Sequence, residues 1–100
     1  MSTSPEQKVQ NSIEKYLKSN NIFYEKRQAG GFNYKKGIPD LYFVFNGEHI
    51  EIEIKKPHGA PSAMQIMWQR KFAELYNIKA YIVSSVEEIN DIIESLKKSS

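Results

Sequence analysis

The residues best equipped for chemistry lie in one stretch, GIPDLYFVFNGEHIEIEIKK, residues 37–56. Asp40 stands at the mouth of an apolar strand, and Glu53 and Lys55 lie two residues apart on the next one. Side chains alternate faces along a strand, so Glu53 and Lys55 point the same way. Asn46-Gly47 is the two-residue signal that folds one strand back on another. The hairpin then brings Asp40 beside Glu53 and Lys55. Two carboxylates and an ammonium converging at a strand end can hold Mg²⁺ against a phosphodiester, which is nuclease chemistry. In that chemistry Asp40 and Glu53 are the candidate metal ligands and the peptide carbonyl of Ile54 is a further oxygen ligand. Lys55 would orient or deprotonate the attacking water, or bind the developing charge.

The elements that must position these groups are readable from patterning. Ser4-Pro5-Glu6-Gln7 opens a helix, with Ser as N-cap, Pro at the first helical position and Gln able to close a capping box. Val9, Ile13, Tyr16 and Leu17 form its apolar stripe, and Asn20-Asn21 ends it. Residues 22–27 read as a short strand. Residues 41–45 are apolar throughout, as in a central strand covered on both faces. Residues 49–55 alternate, with Ile50, Ile52 and Ile54 on a buried face and Glu51, Glu53 and Lys55 on a polar one. Ser62-Ala63-Met64-Gln65 starts a second helix, whose Met64, Met67, Trp68, Phe72 and Leu75 are expected in the core. Residues 80–83 read as a fourth strand. Ser85-Val86-Glu87-Glu88 caps a last helix with an Ile89, Ile92, Ile93 and Leu96 stripe. The order predicts an αβββαβα α/β fold with a mixed sheet flanked by helices, one domain over residues 1–100.

Composition narrows the class. The chain is 40% hydrophobic and 26% charged, as in ordinary soluble domains, and it has no cysteine, which excludes disulfides and thiolate metal sites. No apolar run approaches the roughly 20 residues of a membrane span, and MSTSPEQK lacks an apolar signal core. A cytoplasmic protein without membrane or small-molecule cofactor partners is expected. The formal net charge of +2 permits nucleic-acid binding without arguing for it. A local cluster, Lys26, Arg27, Lys35 and Lys36 around the loop 28–34, is the candidate DNA contact, with Arg27, Lys35 and Lys36 expected to carry it. His49 and His58 lack a helical metal-ligand spacing and read as surface residues. Gln65, at the third position of its helix, is explained by a Ser-x-x-Gln capping box.

The spacing of these motifs resembles the VRR-NUC family of the PD-(D/E)xK nuclease superfamily, in its compact stand-alone form. The resemblance runs through the opening helix acid, GIPDL, EIEIKKP, the Ser-x-x-Gln helix start, and the closing strand and helix. It implies a restriction-endonuclease-like fold and a Mg²⁺- or Mn²⁺-dependent DNA endonuclease. Asp40 and Glu53 would bind the metal, Lys55 would assist the water, Gln65 would support the site, and Glu6 would be the helix acid in preference to Glu14. The family's three-residue signature is not found cleanly here. The resemblance further implies a homodimer selective for branched DNA such as four-way junctions, and a two-fold dimer would place two clefts and two basic loops on one substrate. A nicking or restriction-like enzyme, or a catalytically silent nucleic-acid-binding module, are the alternatives.

Overall fold

The structure, a computed structural model, describes residues 3–28 and 35–98. Helix α1 (Pro5–Ser19) precedes β1 (Phe23–Lys26), β2 (Leu41–Phe45) and β3 (Glu48–Ile54); α2 (Ala63–Tyr76), β4 (Lys79–Val83) and α3 (Val86–Lys98) complete the chain. The strands lie in sequence order, β1-β2-β3-β4, with β1 and β2 antiparallel, β2 and β3 antiparallel, and β3 and β4 parallel. The mixed sheet and its αβββαβα order are as expected.

Local chemistry accounts for the boundaries. Ser4 Oγ accepts from the Gln7 N–H, and Pro5 takes a first-turn position where no N–H is needed. Gln7 is not seen to close the box; its side-chain amide donates to Asn11 one turn on. Asn46 and Gly47 both have positive φ, 51° and 78°, as a two-residue hairpin turn demands. That turn sets Phe45 opposite Glu48 and carries the register to Leu41 opposite Ile52.

Helices α1 and α3 cover one face of the sheet. Ile13, Leu17, Ile89, Ile93 and Leu96 pack there on Leu41, Phe43, Ile50, Ile52, Ile54 and Val83. Helix α2 lies on the other face, chiefly over β4. This one-sided placement overturns two expectations about the strands. β2 is not covered on both faces: Leu41 and Phe43 are buried, but Val44 is exposed and Tyr42 half-exposed. β3, expected to show a polar face to solvent, is buried on both faces, with Glu51 1% and Glu53 4% exposed. A third correction concerns α2, none of whose residues is buried. Met64, Met67 and Leu75, expected in the core, are exposed, as is Ile66, while Trp68 and Phe72 are half-buried. Helical spacing shows that a stripe exists, but its neighbours decide whether anything covers it.

Candidate functional site

Buried carboxylates are costly unless paired, so the surroundings of Glu51 and Glu53 carry most of the information in this fold. The hairpin register continues from Leu41–Ile52 to place Asp40 opposite Glu53 on the α2 face. Pro39 has no N–H, which ends the ladder at this point. The Ile54 N–H instead donates to Asp40 Oδ2 at 2.7 Å, so the carboxylate of one strand caps the backbone of the other. Peptide units of an inner strand turn alternately to the two neighbouring strands. Because the Lys55 N–H points to β4, donating to the Val83 carbonyl at 2.8 Å, the Ile54 carbonyl turns to the Asp40 side.

Glu53 is held from one side only. Gln65 Nε2 donates to Glu53 Oε2 at 2.8 Å, whereas Oε1 is buried with no hydrogen-bond partner. Burial first, then the charge of the adjacent Asp40, pushes the Glu53 carboxyl up to about 8, with Lys55 opposing. Burial and the neighbouring carboxylate, which can share the proton of the acid form, raise this group, and no cation pairs directly with its buried Oε1 among the described residues. Gln65 closes the capping box of α2 and also reaches Glu53. Its Oε1 accepts from the Ser62 N–H at 2.8 Å, its own N–H donates to Ser62 Oγ, and its amide nitrogen serves Glu53.

The remaining groups close around a cleft of about 620 Å³ lined by Asp40, Glu53, Gln65, Glu6 and Lys36. Lys55 Nζ lies 3.8 Å from Glu6 Oε1. Glu14 is elsewhere, taking hydrogen bonds from Tyr24 Oη at 3.0 Å and Gln10 Nε2 at 3.1 Å. Of the two helix acids, Glu6 is the one the fold brings to the cleft. Gly37, which carries no chemistry of its own, shapes the rim. Its φ is +81° and a Cβ there would stand 2.6 Å from Met64 Cβ, so glycine lets the chain pass closely over the start of α2. Trp68 Nε1 fixes the same segment by donating to the Lys36 carbonyl at 3.1 Å.

Among the basic residues expected at DNA, Lys35 and Lys36 are exposed, and Lys36 lines the cleft. Arg27 is engaged within the protein: Nη1 and Nη2 grip both oxygens of Glu51, at 2.6 and 2.9 Å, and Nη1 donates to the Pro39 carbonyl at 3.0 Å. His49, expected merely at the surface, completes this group, with Nε2 2.5 Å from Glu51 Oε2 and its ring stacked on Tyr42. Nothing in the sequence signals a pairing across 24 residues. Phe32 and Tyr34, loop aromatics that the sequence offers as candidates for a dimer contact, lie outside the described residues.

Among the described residues, no three His, Cys, Asp or Glu side chains converge as a metal cage. The donor set is two carboxylates and a carbonyl with open cleft beside them, which suits a hard cation that keeps several waters, as Mg²⁺ does. The orphaned Glu53 Oε1 fits the same ion.

A four-stranded mixed sheet flanked by helices, with an acidic cleft at the end of its central hairpin, defines the restriction-endonuclease-like class of α/β folds. Within that class, the chain is similar to a solved structure described as a VRR_NUC domain. The TM-score is 0.74 at 21% identity, over 92% of this chain and 97% of that one. The fold is therefore a VRR_NUC fold, in agreement with the resemblance carried by GIPDL and EIEIKKP. No family model matches the sequence, and no curated protein does. None of the helices among the described residues is long and apolar enough to cross a membrane.

Proposed function

We propose that this protein is a metal-dependent DNA endonuclease, with Asp40, Glu53 and the Ile54 carbonyl as the ligands of Mg²⁺ or Mn²⁺. The observation that carries the reading is the buried, unpartnered Glu53 Oε1 facing Asp40 in a cleft open to solvent. A cation bound there would offset the two negative charges, activate water and stabilise charge building on the phosphoryl oxygens.

The protein's own residues do the rest. Gln65 fixes Glu53 through Oε2 and so leaves Oε1 for the site. Asp40 is fixed by the Ile54 N–H, so both ligands are set by backbone and α2 before substrate arrives. Lys55, held near the cleft by Glu6, donates hydrogen bonds to the attacking water or to the developing oxyanion. Lys35 and Lys36 at the rim would take phosphates on either side of the scissile bond.

The finer reading is a homodimer that selects branched DNA such as four-way junctions. One domain of this size and charge offers little surface for a branched substrate, whereas a two-fold axis sets two clefts at a fixed separation. The exposed apolar side chains of α2, among them Ile66, Met67 and Leu75, give such a dimer a surface to bury. The deciding experiment is incubation with duplex, nicked, flap and four-way DNAs in Mg²⁺ or EDTA. Cleavage of junctions in preference to duplex, abolished by EDTA, is expected. Equal cleavage of plain duplex overturns the branched-DNA reading, and cleavage in EDTA overturns metal dependence.

A further inference from the structure

The Arg27–Glu51 pair lies outside the catalytic set; Glu51 is buried and Arg27 half-buried. Glu51 is two residues before Glu53 on β3, on the same face of the sheet. Arg27 follows β1 and touches the start of β2 twice. Its backbone N–H donates to the Asp40 carbonyl at 2.7 Å, and its guanidinium donates to the Pro39 carbonyl at 3.0 Å. The peptide units on both sides of the Asp40 Cα are thus tied to one residue, and that residue is clamped by two parallel bonds to the strand that carries Glu53. Proline has ended the β2–β3 ladder here, so on the β3 side the segment has no regular backbone pairing; the β1 side keeps the Arg27–Asp40 backbone bond, and the guanidinium adds the link to β3.

We propose that Arg27 is a positioning residue for the metal-binding carboxylates, locking Asp40 against Glu53 through its clamp on Glu51 and the Pro39 carbonyl. The inference rests on the nuclease reading for its consequence, and on the clamp geometry for its substance. A buried ion pair is weak support for stability, since an apolar pair of similar volume commonly serves as well or better. The bidentate fork and the third bond to Pro39 do what an apolar pair cannot, which is to fix the angle of a polar chain segment. The same geometry withdraws the Arg27 guanidinium from DNA.

The test is the double variant Arg27→Met/Glu51→Leu, with Arg27→Lys beside it, because lysine keeps the charge but cannot span both Glu51 oxygens and the Pro39 carbonyl. Mn²⁺ affinity, followed by calorimetry, should weaken about 10- to 100-fold, the usual cost of losing a group that orients a metal ligand. Amide exchange at Ile54, whose N–H is held by Asp40, should accelerate about tenfold. Exchange at Lys55, held by Val83, should not change. Turnover number should fall while KM for DNA and the salt dependence of binding stay as in the parent. Unchanged Mn²⁺ affinity and Ile54 exchange, with weaker and less salt-dependent DNA binding, would overturn the proposal and make Arg27 a phosphate contact. If the double variant does not fold, Arg27→Lys is judged by the same readouts. A parent protein that binds no Mn²⁺ refutes the nuclease reading instead, and the Ile54-to-Lys55 exchange comparison still decides the clamp.

Discussion

Glu53 should make the metal-free protein less stable as pH rises, and replacing it should remove that loss. In the fold its carboxyl is pushed from 4.5 up to about 8, by burial and then by Asp40. In the unfolded chain it titrates in the ordinary carboxylate range. Between those values the native state keeps a proton that the unfolded state has released. Stability from this group is therefore complete below about pH 4.5 and is lost as pH climbs through about 8. One proton of difference is a slope of about 1.4 kcal/mol per pH unit, and the whole shift sets a ceiling of about 5 kcal/mol. That is a large share of the stability of a domain this small. Urea unfolding in EDTA, at one fixed protein concentration, should give a wild-type free energy that falls with pH relative to Glu53→Gln. The difference in slope should approach one proton between pH 6 and about 7.5. The amide can still accept from Gln65 but has no charge to desolvate, so above neutrality the variant should be the more stable protein although inactive. Mn²⁺ should reverse the order by stabilising wild type alone. Parallel pH curves for the two proteins would refute the account of Glu53 as a strained, cation-seeking acid.

Asp40→Asn should abolish cleavage and calorimetric Mn²⁺ binding while preserving the far-ultraviolet spectrum, since an amide oxygen can still accept from Ile54; near-wild-type cleavage would exclude Asp40 as a ligand. Gln65→Ala should lower both stability, through the lost half of the capping box, and turnover. Normal activity with reduced melting temperature would leave Gln65 a cap and nothing more. Lys55→Ala should reduce turnover far more than DNA affinity, with a loss of about 2.7–4 kcal/mol in transition-state stabilisation; a loss seen wholly as weaker affinity would make it a phosphate contact. Neutralising Lys35 and Lys36 should flatten the salt dependence of binding by roughly 0.9 in log–log slope per duplex phosphate contact removed. An unchanged slope would place the DNA elsewhere.

Much of this protein was determined by local pattern. The element order, the Asn46-Gly47 turn and the pairing of Asp40 with Glu53 follow from periodicity and turn chemistry, because a hairpin register is set by its turn and by alternation along its strands. Gln65 was likewise visible at N3 of its helix, since a capping box is a contact between residues three apart.

What tertiary structure decided was which faces are covered and which distant groups meet. A polar alternation such as Glu51–Glu53 has the same pattern whether water or protein lies above it. Only the placement of α2 and Arg27 buried those carboxylates and left Val44 and the α2 stripe exposed. Burial in turn raised the Glu53 carboxyl and left its Oε1 without a partner, so the property on which the proposed cation site rests comes from desolvation and not from residue type. The Arg27 clamp belongs to the same category. Sequence proximity grouped its charge with the lysines expected at DNA, while the fold turned it onto a partner 24 residues away, and hydrogen-bond geometry across strands carries no signature in either segment alone.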